Sequence, residues 1–538
     1  MRAAARRQHR RDGIIAPTSP AVRVRIIAEC PSLGSELQVQ TVGAAAGTCQ
    51  PRARQNVRVM DGRARWAAAA PRMTGTRHRG TLVCVIVEPF LDEGLGNGSY
   101  LLGVATGKAV LIDPDRRIAR YLRRAEDLGV EIVGVLDTHL HADFVSGSLD
   151  VARATGAEVV VPSGAGVGFD HRRAIPGERL AIADVELEVR ATPGHSPEHV
   201  SYVARVDGRD ADVALFSGGA LIAGGAARTD LVSPDATDRL TREQFRSVRE
   251  AFEDLPDATM LYPTHGGGSF CSAGGGGPHV STLGTERRSN PILRFPGDAD
   301  AFAAWWPTTF PSIPTYFERM RDVNRAGPRP RETVPPPPPL DPLAFDRVRR
   351  EPGVIVVDAR HVDAYGGAHI EGSIAIPFRE SYPTWLGWLV PGDARLLFVA
   401  DETDLAAIVE SSLLVGYESF AGWLCGGLEA WIDENMPIRS TPSIGPNDAV
   451  PWLEMGAHPV DVREEDEFEL GHVAGATHVP LGSLERRSED LPPGRPLLVY
   501  CASGQRSTSA TSILERRGIG PVVHLRGGYG AWRHLHRD

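Results

Sequence analysis

The sequence predicts an α/β multidomain protein: sheets sandwiched between helices, followed by two smaller strand–helix units. Three observations carry this. Between residues 81 and 327, apolar β-branched runs alternate with helical patterns in two strand-rich halves. Five consecutive prolines, Pro335 to Pro339, then interrupt the chain. Beyond them, Gly426-Gly427-Leu-Glu-Ala-Trp431 returns as Gly527-Gly528-Tyr-Gly-Ala-Trp532, the end of a repeat of about a hundred residues.

Length and composition set the bounds. A chain of 538 residues argues for about three or four domains. Hydrophobic content of 42% and charged content of 23% are ordinary for a globular protein, and the net charge of -10 gives no reason to expect a nucleic-acid partner. No run approaches the eighteen or so apolar residues of a membrane span, so no membrane is expected. Six cysteines (Cys30, Cys49, Cys84, Cys271, Cys425 and Cys501) follow no framework spacing and read as reduced thiols of a cytosol.

Residues 1–80 are Arg-rich, acid-poor and without periodicity. They read as a disordered extension from an upstream start codon, with Met73 near the true beginning; the same bias also suits an organelle transit peptide. Residues 81–327 form the first folded domain. Strands are expected at Leu82–Val87, Ser99–Val104 and Ala109–Ile112, then a helix over Ile118–Leu128 and a buried strand over Glu131–Leu136. Further strands are expected at Glu158–Val161, Leu180–Ala191, Val200–Val206 and Val213–Phe216.

Residues 328–340 read as a semi-rigid polyproline spacer. The first repeat unit then occupies 341–440 and the second 441–538, joined through Pro437–Pro446. Val354-Ile-Val-Val-Asp358-Ala-Arg360 and His369-Ile-Glu-Gly372 in the first are matched by Val460-Asp461-Val-Arg463 and Gly471-His472 in the second. Asp461, Arg463 and His472 are expected to be structural polar groups.

The chemistry starts at Thr138-His139-Leu140-His141-Ala142-Asp143-Phe144, directly after the Glu131–Leu136 strand. Two imidazoles two residues apart project to the same side of an extended segment, and Asp143 adds a carboxylate. His195 stands at the tip of a Pro-Gly turn, and His265 at the end of another apolar run, Tyr262-Pro263-Thr264-His265-Gly266. Histidines at the ends of separate strands can converge on one metal ion.

These segments, with Ser269-Phe-Cys271 and Ser281–Pro291 (STLGTERRSNP), resemble the metallo-β-lactamase superfamily over residues 81–327, and within it the persulfide dioxygenase branch beside the glyoxalase II type. The resemblance implies an αββα sandwich with a metal at the edge of its two sheets. It also implies an iron(II) held by two His and one Asp, the two His being His139 and His195. Two positions depart from the pattern. Phe144 stands where the family has a second-metal His, and Gly219, in Ser217-Gly218-Gly219, stands where the family has its Asp ligand. The expected set is therefore His139, His141 and His195 on one divalent metal, Fe(II) by resemblance or Zn(II), with Asp143 and His265 as added ligand or proton-transfer group. Arg228, in Arg228-Thr-Asp-Leu231, matches the family's Arg for the substrate carboxylate.

In the second repeat, the run Leu497–Tyr500 leads to Cys501-Ala-Ser503-Gly504-Gln505-Arg506-Ser507. A cysteine between a strand and a helix start sits in a cradle of loop amides over Ser503, Gly504 and Gln505. That cradle, with Arg506, favours the thiolate and can hold a persulfide or the oxyanion of thiosulfate. The unit resembles a rhodanese (sulfurtransferase) domain with its central parallel sheet. In the first repeat the strand Leu396–Ala400 runs into Asp401, read as filling the nucleophile position, so that unit resembles an inactive rhodanese serving as spacer or docking surface. Cys425, beside Gly426, is expected to be a packing residue.

The domain order resembles bacterial persulfide dioxygenase–sulfurtransferase fusions. This implies a cytoplasmic enzyme of sulfide detoxification whose small partners are a glutathione-type thiol persulfide and sulfite or thiosulfate, with homo-oligomerisation left open. Two rivals are a glyoxalase II-like metallohydrolase cleaving a thioester, and a degenerate metal domain acting as scaffold for Cys501.

Overall fold

The computed structural model describes residues 85–104, 107–182, 185–205, 213–274 and 278–536. The proposed N-terminal extension, Met73, and Cys30, Cys49 and Cys84 lie outside the described residues.

The first domain is an αββα sandwich. One six-stranded sheet runs in simple order through Val85–Asp92, Asn97–Val104, Lys108–Ile112, Glu131–Leu136, Glu158–Pro162 and Arg172–Ala174. The other is ordered Ser281–Thr282, Met260–Pro263, Val213–Gly218, Val200–Arg205, Val185–Ala191 and Arg179–Ile182. Alternation decides which side chains face inward. Tyr100, Leu102, Val110, Ile112 and Leu136 of the first sheet pack on Leu187, Val189, Tyr202 and Phe216 of the second. The opposite face of the first sheet, with Leu111 and Val135, is covered by Tyr121 and Ala125 of helix Ala119–Leu128 and Val151 of helix Ser148–Thr155. Leu215 and Leu261 of the second sheet are covered by Val248 of helix Pro234–Glu250 and by Phe302. Segment Leu180–Ala191, expected as one strand, is a hairpin: Arg179–Ile182 pairs antiparallel with Val185–Ala191.

The two repeat units share one topology. Each is a five-stranded, all-parallel sheet: Pro339–Leu340, Phe420–Leu424, Arg395–Val399, Val354–Asp358, Ile374–Ala375 in the first, and Ser443–Ile444, Val522–Leu525, Leu497–Tyr500, His458–Asp461, Thr477–His478 in the second. The polar pairs repeat too. Arg360 binds Asp358 and the Ala368 carbonyl, as Arg463 binds Asp461 and the Gly471 carbonyl.

Register corrects one assignment. Asp358 pairs with Val399, and Asp461 with Tyr500. The residue after Val399 is Ala400, so the buried Ala400 occupies the place of Cys501, and the exposed Asp401 lies one residue beyond it. The proline run is also more than a spacer: its last residue begins the edge strand Pro339–Leu340, where Trp423 N donates to the Pro338 carbonyl at 3.0 Å and Cys425 N to Leu340 at 2.9 Å. Proline tolerates this because an edge strand needs only its carbonyls on that side. Cys425 itself is exposed, not packed.

One apolar cluster joins all three units: Phe144, Tyr316 and Met320 of the first domain, Leu386, Leu413 and Leu414 of the first repeat, and Val499, Cys501 and Leu514 of the second. Val145 N donates to the Leu414 carbonyl at 2.8 Å across that junction.

Candidate metal centre and sulfur loop

Five imidazoles meet at one edge of the sandwich: His199 stacks on His139 at 4.9 Å between centroids and accepts from Gly219 N at 2.9 Å, and of the other four, three have the same design. The outer ring nitrogen of each is held by a protein group, which leaves the inner one for the centre. His139 Nδ1 lies 2.8 Å from Thr138 Oγ1, His195 Nδ1 lies 2.6 Å from the Arg228 carbonyl, and His265 Nδ1 lies 3.0 Å from Asn97 Oδ1. The Nε2 atoms of His139 and His265 are then 3.3 Å apart. His139, His195 and His265 bring ligand atoms within 4.8 Å of one another, all buried. His141 joins from the side. Its Nε2 lies 3.3 Å from Asp113 Oδ1 and 3.8 Å from Asp137 Oδ1, while neither ring nitrogen has an aligned hydrogen-bond partner.

The sequence expectation of His139, His141 and His195 is thus rearranged. His265 stands with His139 and His195, whereas His141 groups with Asp143 and His265, and again with Asp113 and Asp137. Asp143 Oδ2 accepts from Asn97 Nδ2 at 2.8 Å, and its buried Oδ1 has no partner. Phe144 stacks on the His141 ring at 4.2 Å between centroids. Gly219 is at the centre as expected: a Cβ there would lie 2.7 Å from His195 Cδ2.

The electrostatics suit a cation. Burial, with neighbouring imidazoles, holds His139 well below its usual range and His195 at about 3, so both are neutral with a free lone pair. Burial also opposes charge on His141, but Asp113 and Asp137 outweigh it and raise the pKa to about 10. For Asp143, His265 and His141 outweigh burial and lower the pKa to about 2. Neutral imidazoles at His139 and His195 and an ionised carboxylate with a free oxygen fit a divalent metal; they do not fit the two-His-one-carboxylate triad at the Gly219 position.

Several supports were missed in the sequence because nothing local marks them. Asn324, on helix Phe317–Ala326, donates to the His141 and Phe144 carbonyls at 2.8 and 2.9 Å and accepts from Ser146 N, shaping the His loop from 180 residues away. Asn97 bridges Asp143 and His265. Asp113 accepts from Thr138 N, Thr138 Oγ1 and Thr264 Oγ1, tying two ligand loops together. Its place at the end of strand Lys108–Ile112, beside the Glu131–Leu136 strand, was the one readable hint.

Arg228 differs from expectation. It is buried, with Nε and Nη2 on Asp230 and Nη1 on the Phe270, Pro311 and Ser312 carbonyls. A guanidinium bonded on all sides within the protein holds loops together and offers no free fork to a substrate carboxylate.

At the second site, Cys501 follows strand Leu497–Tyr500 and is buried. Gly504 N donates to its Sγ at 3.1 Å and Ser507 Oγ lies 3.5 Å away, so the thiol ends in a polar cradle although its back joins the apolar cluster. Gly504, at φ 101°, turns that amide inward at the start of helix Gln505–Arg516, a conformation that favours glycine. Ser503 is exposed and Gln505 half-buried. Arg506, expected to serve the thiolate, is forked onto Glu467 at 2.6 and 2.7 Å.

Comparison with known proteins agrees with this division. The rhodanese-like domain family model matches residues 343–434 and 448–535. Human mitochondrial persulfide dioxygenase ETHE1 is 33% identical over 198 residues, 36% of this chain and 70% of that protein. A hydroxyacylglutathione hydrolase of Synechococcus sp. (strain JA-3-3Ab) is 30% identical over 228 residues, 37% of this chain and 84% of its own. A crystal structure of a metallo-β-lactamase from Staphylococcus aureus superposes with a TM-score of 0.56 at 28% identity, covering 63% of this chain and 98% of that one.

Proposed function

Since the chain belongs to the metallo-β-lactamase family and carries two rhodanese-like domains, we propose that it oxidises a thiol persulfide at the histidine centre and moves sulfane sulfur on Cys501. The observation that supports this best is the convergence of His139, His195 and His265 in a chain that also cradles the Cys501 sulfur with the Gly504 amide.

The oxidative half balances as persulfide plus O₂ plus water giving thiol, sulfite and two protons, with the terminal sulfur losing four electrons to O₂. The bound metal, Fe(II) or Zn(II), would supply Lewis acidity and, as iron, electron transfer to O₂. His139, His195 and His265 would hold it. Asp143, ionised and with Oδ1 free, would take the persulfide proton. Phe144 and the surrounding apolar cluster exclude water from one side. In the second half, the Cys501 thiolate attacks the outer sulfur of a thiol persulfide, the donor S–S bond breaks and the thiol leaves with the proton, giving Cys–S–S⁻ whose charge is met by the Gly504 amide and the Ser507 hydroxyl.

Gly219 favours a second reading for the first domain. An all-imidazole set suits Zn(II), which would supply Lewis acidity for hydrolysis of a glutathione-type thioester. Three assays on one preparation separate the readings: O₂ uptake with glutathione persulfide, thioester hydrolysis, and thiocyanate formation from thiosulfate and cyanide. O₂ uptake with sulfite release is expected. Hydrolysis without O₂ uptake would replace the oxidative reading, and a metal-free, inert first domain would leave a scaffold for Cys501.

A further inference from the structure

A cleft of about 540 Å³ opens where the three units meet. Small-molecule sites span about 300–1,000 Å³, so it is large enough to hold one. The first domain supplies Asp230, Leu231 and Phe317 to its walls, the first repeat Trp388, and the second repeat Ser483 and Arg486. Contacts between the units fix these walls. Ser312 Oγ donates to Glu464 Oε2 at 3.0 Å, joining the first domain to the second repeat at the cleft. Thr315 Oγ1 donates to the Trp388 carbonyl at 2.9 Å. The Trp388 ring stacks on Trp385 at 5.2 Å between centroids and meets the Phe270 ring in a T at 4.9 Å. Gly482, next to Ser483, lets that indole approach the second repeat: a Cβ there would strike Trp388 Nε1.

The first-domain wall belongs to the loop that orients a metal-site imidazole. The Arg228 carbonyl meets His195 Nδ1 at 2.6 Å, the Arg228 guanidinium grips Asp230, and Asp230 and Leu231 line the cleft. His139, His195 and His265 are each at most 2% exposed, so the bulk of a substrate must be held outside them. Arg228 is spent on internal partners, and a substrate carboxylate needs another cation. Arg486 is exposed and, among the described residues, has no ion pair and no side-chain hydrogen bond. Ser483 Oγ and Trp388 Nε1 are likewise without partners among the described residues. Glu318, an exposed lining residue from the first domain, also has no ion pair among them. The repeats thus offer three free donors and the first domain one free carboxylate, with apolar surface from Leu231 and Phe317. A ligand that satisfies this set carries both a carboxylate and an ammonium on one small body.

We propose that this three-unit cleft binds the carrier of the persulfide, and that the carrier is a zwitterionic, peptide-like thiol. Arg486, Ser483 Oγ and Trp388 Nε1 take its carboxylate, and Glu318 takes its ammonium. The inference rests on the first domain acting on a thiol persulfide. The carboxylate role expected of Arg228 then falls to a residue of the second repeat. The silent repeat gains a role too, because Trp388 is its part of the wall. Both repeats thereby select what reaches the first domain. The binding step forms and breaks no covalent bond.

The test is binding of S-methylglutathione, a probe whose sulfur is capped, to the full chain, read by calorimetry and by quenching of tryptophan emission. Saturable binding is expected. Arg486→Gln should raise the Kd about tenfold or more, with Arg486→Lys restoring part of the loss. N-acetylation of the probe removes its ammonium. It should weaken binding to the wild type and cost nothing further in Glu318→Gln. Both side chains are exposed and unbonded, so the Tm of each variant should match the wild type; a Tm that drops in Arg486→Gln would mark a structural residue and defeat the proposal. No saturable binding, or a Kd indifferent to Arg486→Gln, overturns it. O₂ uptake with glutathione persulfide keeps the two readings apart. Uptake with a KM that ignores Arg486→Gln sinks the cleft and spares the oxidative reading. Arg486-dependent binding without any uptake supports the cleft as a peptide-thiol site and sinks the oxidative reading.

Discussion

His139 and His265 face each other Nε2 to Nε2 at 3.3 Å, inside a pocket where burial keeps His139 uncharged. Two ring nitrogens that close cannot both carry hydrogen, so at least one presents a lone pair. A divalent cation between them and His195 relieves the contact and links binding to stability. With metal at about a hundred times its Kd the native state gains about 2.7 kcal/mol. Added Fe(II) under anaerobic conditions, or Zn(II), should raise the Tm. His139→Ala or His265→Ala should lose at least the roughly 10–100-fold affinity that even an outer partner commands. Metal analysis after dialysis, with the Tm shift, reads both; a His265→Ala protein with wild-type metal content would remove His265 from the ligand set.

Gly219 invites repair by aspartate, and the structure argues that repair is costly. A Cβ would lie 2.7 Å from His195 Cδ2 and 2.9 Å from the Ala227 Cβ, closer than packed carbons sit. Gly219→Asp should destabilise the metal-free protein by about 1–3 kcal/mol, the usual result of overpacking. Urea denaturation of the apoprotein measures it; an unchanged midpoint would show that the His195 loop yields freely.

The parts of this molecule legible in the sequence were those in which chemistry and local pattern coincide. His139, His195 and His265 each end an apolar run, and Cys501 sits between strand and helix signals. Hidden were properties set by distant chain. Asn324 shapes the His loop from another helix, and Arg228 is turned inward by carbonyls of residues 270, 311 and 312. The choice between Ala400 and Asp401 needed strand register, because counting from the apolar run leaves an error of one. The antiparallel pairing of Arg179–Ile182 with Val185–Ala191 was likewise invisible, since both arms of a hairpin share one periodicity.

Arg116 ties the first domain to the first repeat. Its side chain is 1% exposed and bonds Asp150 at 3.2 Å, Glu418 at 2.6 Å and the Arg329 carbonyl at 2.6 Å. Removing one member of a buried pair strands the other, at a cost of about 3–5 kcal/mol. Arg116→Met should lower stability by that order and split one calorimetric transition into two, as the units lose a shared anchor. A single, unshifted transition would show that the apolar cluster alone joins them.

Asp115 gives a pH dependence with a definite sign. Burial opposes its charge, but Arg117 and Arg120 outweigh it and lower its pKa. A carboxyl depressed in the folded state contributes stability that is fully present above its unfolded pKa of about 3.9 and fades as pH falls through the folded value. Asp115→Asn should therefore be less stable than wild type at neutral pH, with the gap narrowing below about pH 4. Urea midpoints across that range decide it, and a gap that widens on acidification would contradict the assignment.

Cys501 and Ala400 occupy the same place in two copies of one sheet, and what surrounds them differs more than the side chains do. Gly504 turns its amide onto the Cys501 sulfur, and Ser507 approaches from the next helix. After Ala400 the chain reads Asp401-Glu-Thr-Asp404, with no glycine to turn an amide inward and carboxylates where an anion would sit. Cys501→Ser should abolish thiocyanate formation while leaving metal content and Tm near wild type, because a serine fills nearly the same space. Ala400→Cys on that background should not restore activity, since the added thiol lacks the amide cradle and faces negative charge. Thiocyanate release by the double variant would mean that the thiol alone suffices and that the loop contributes little.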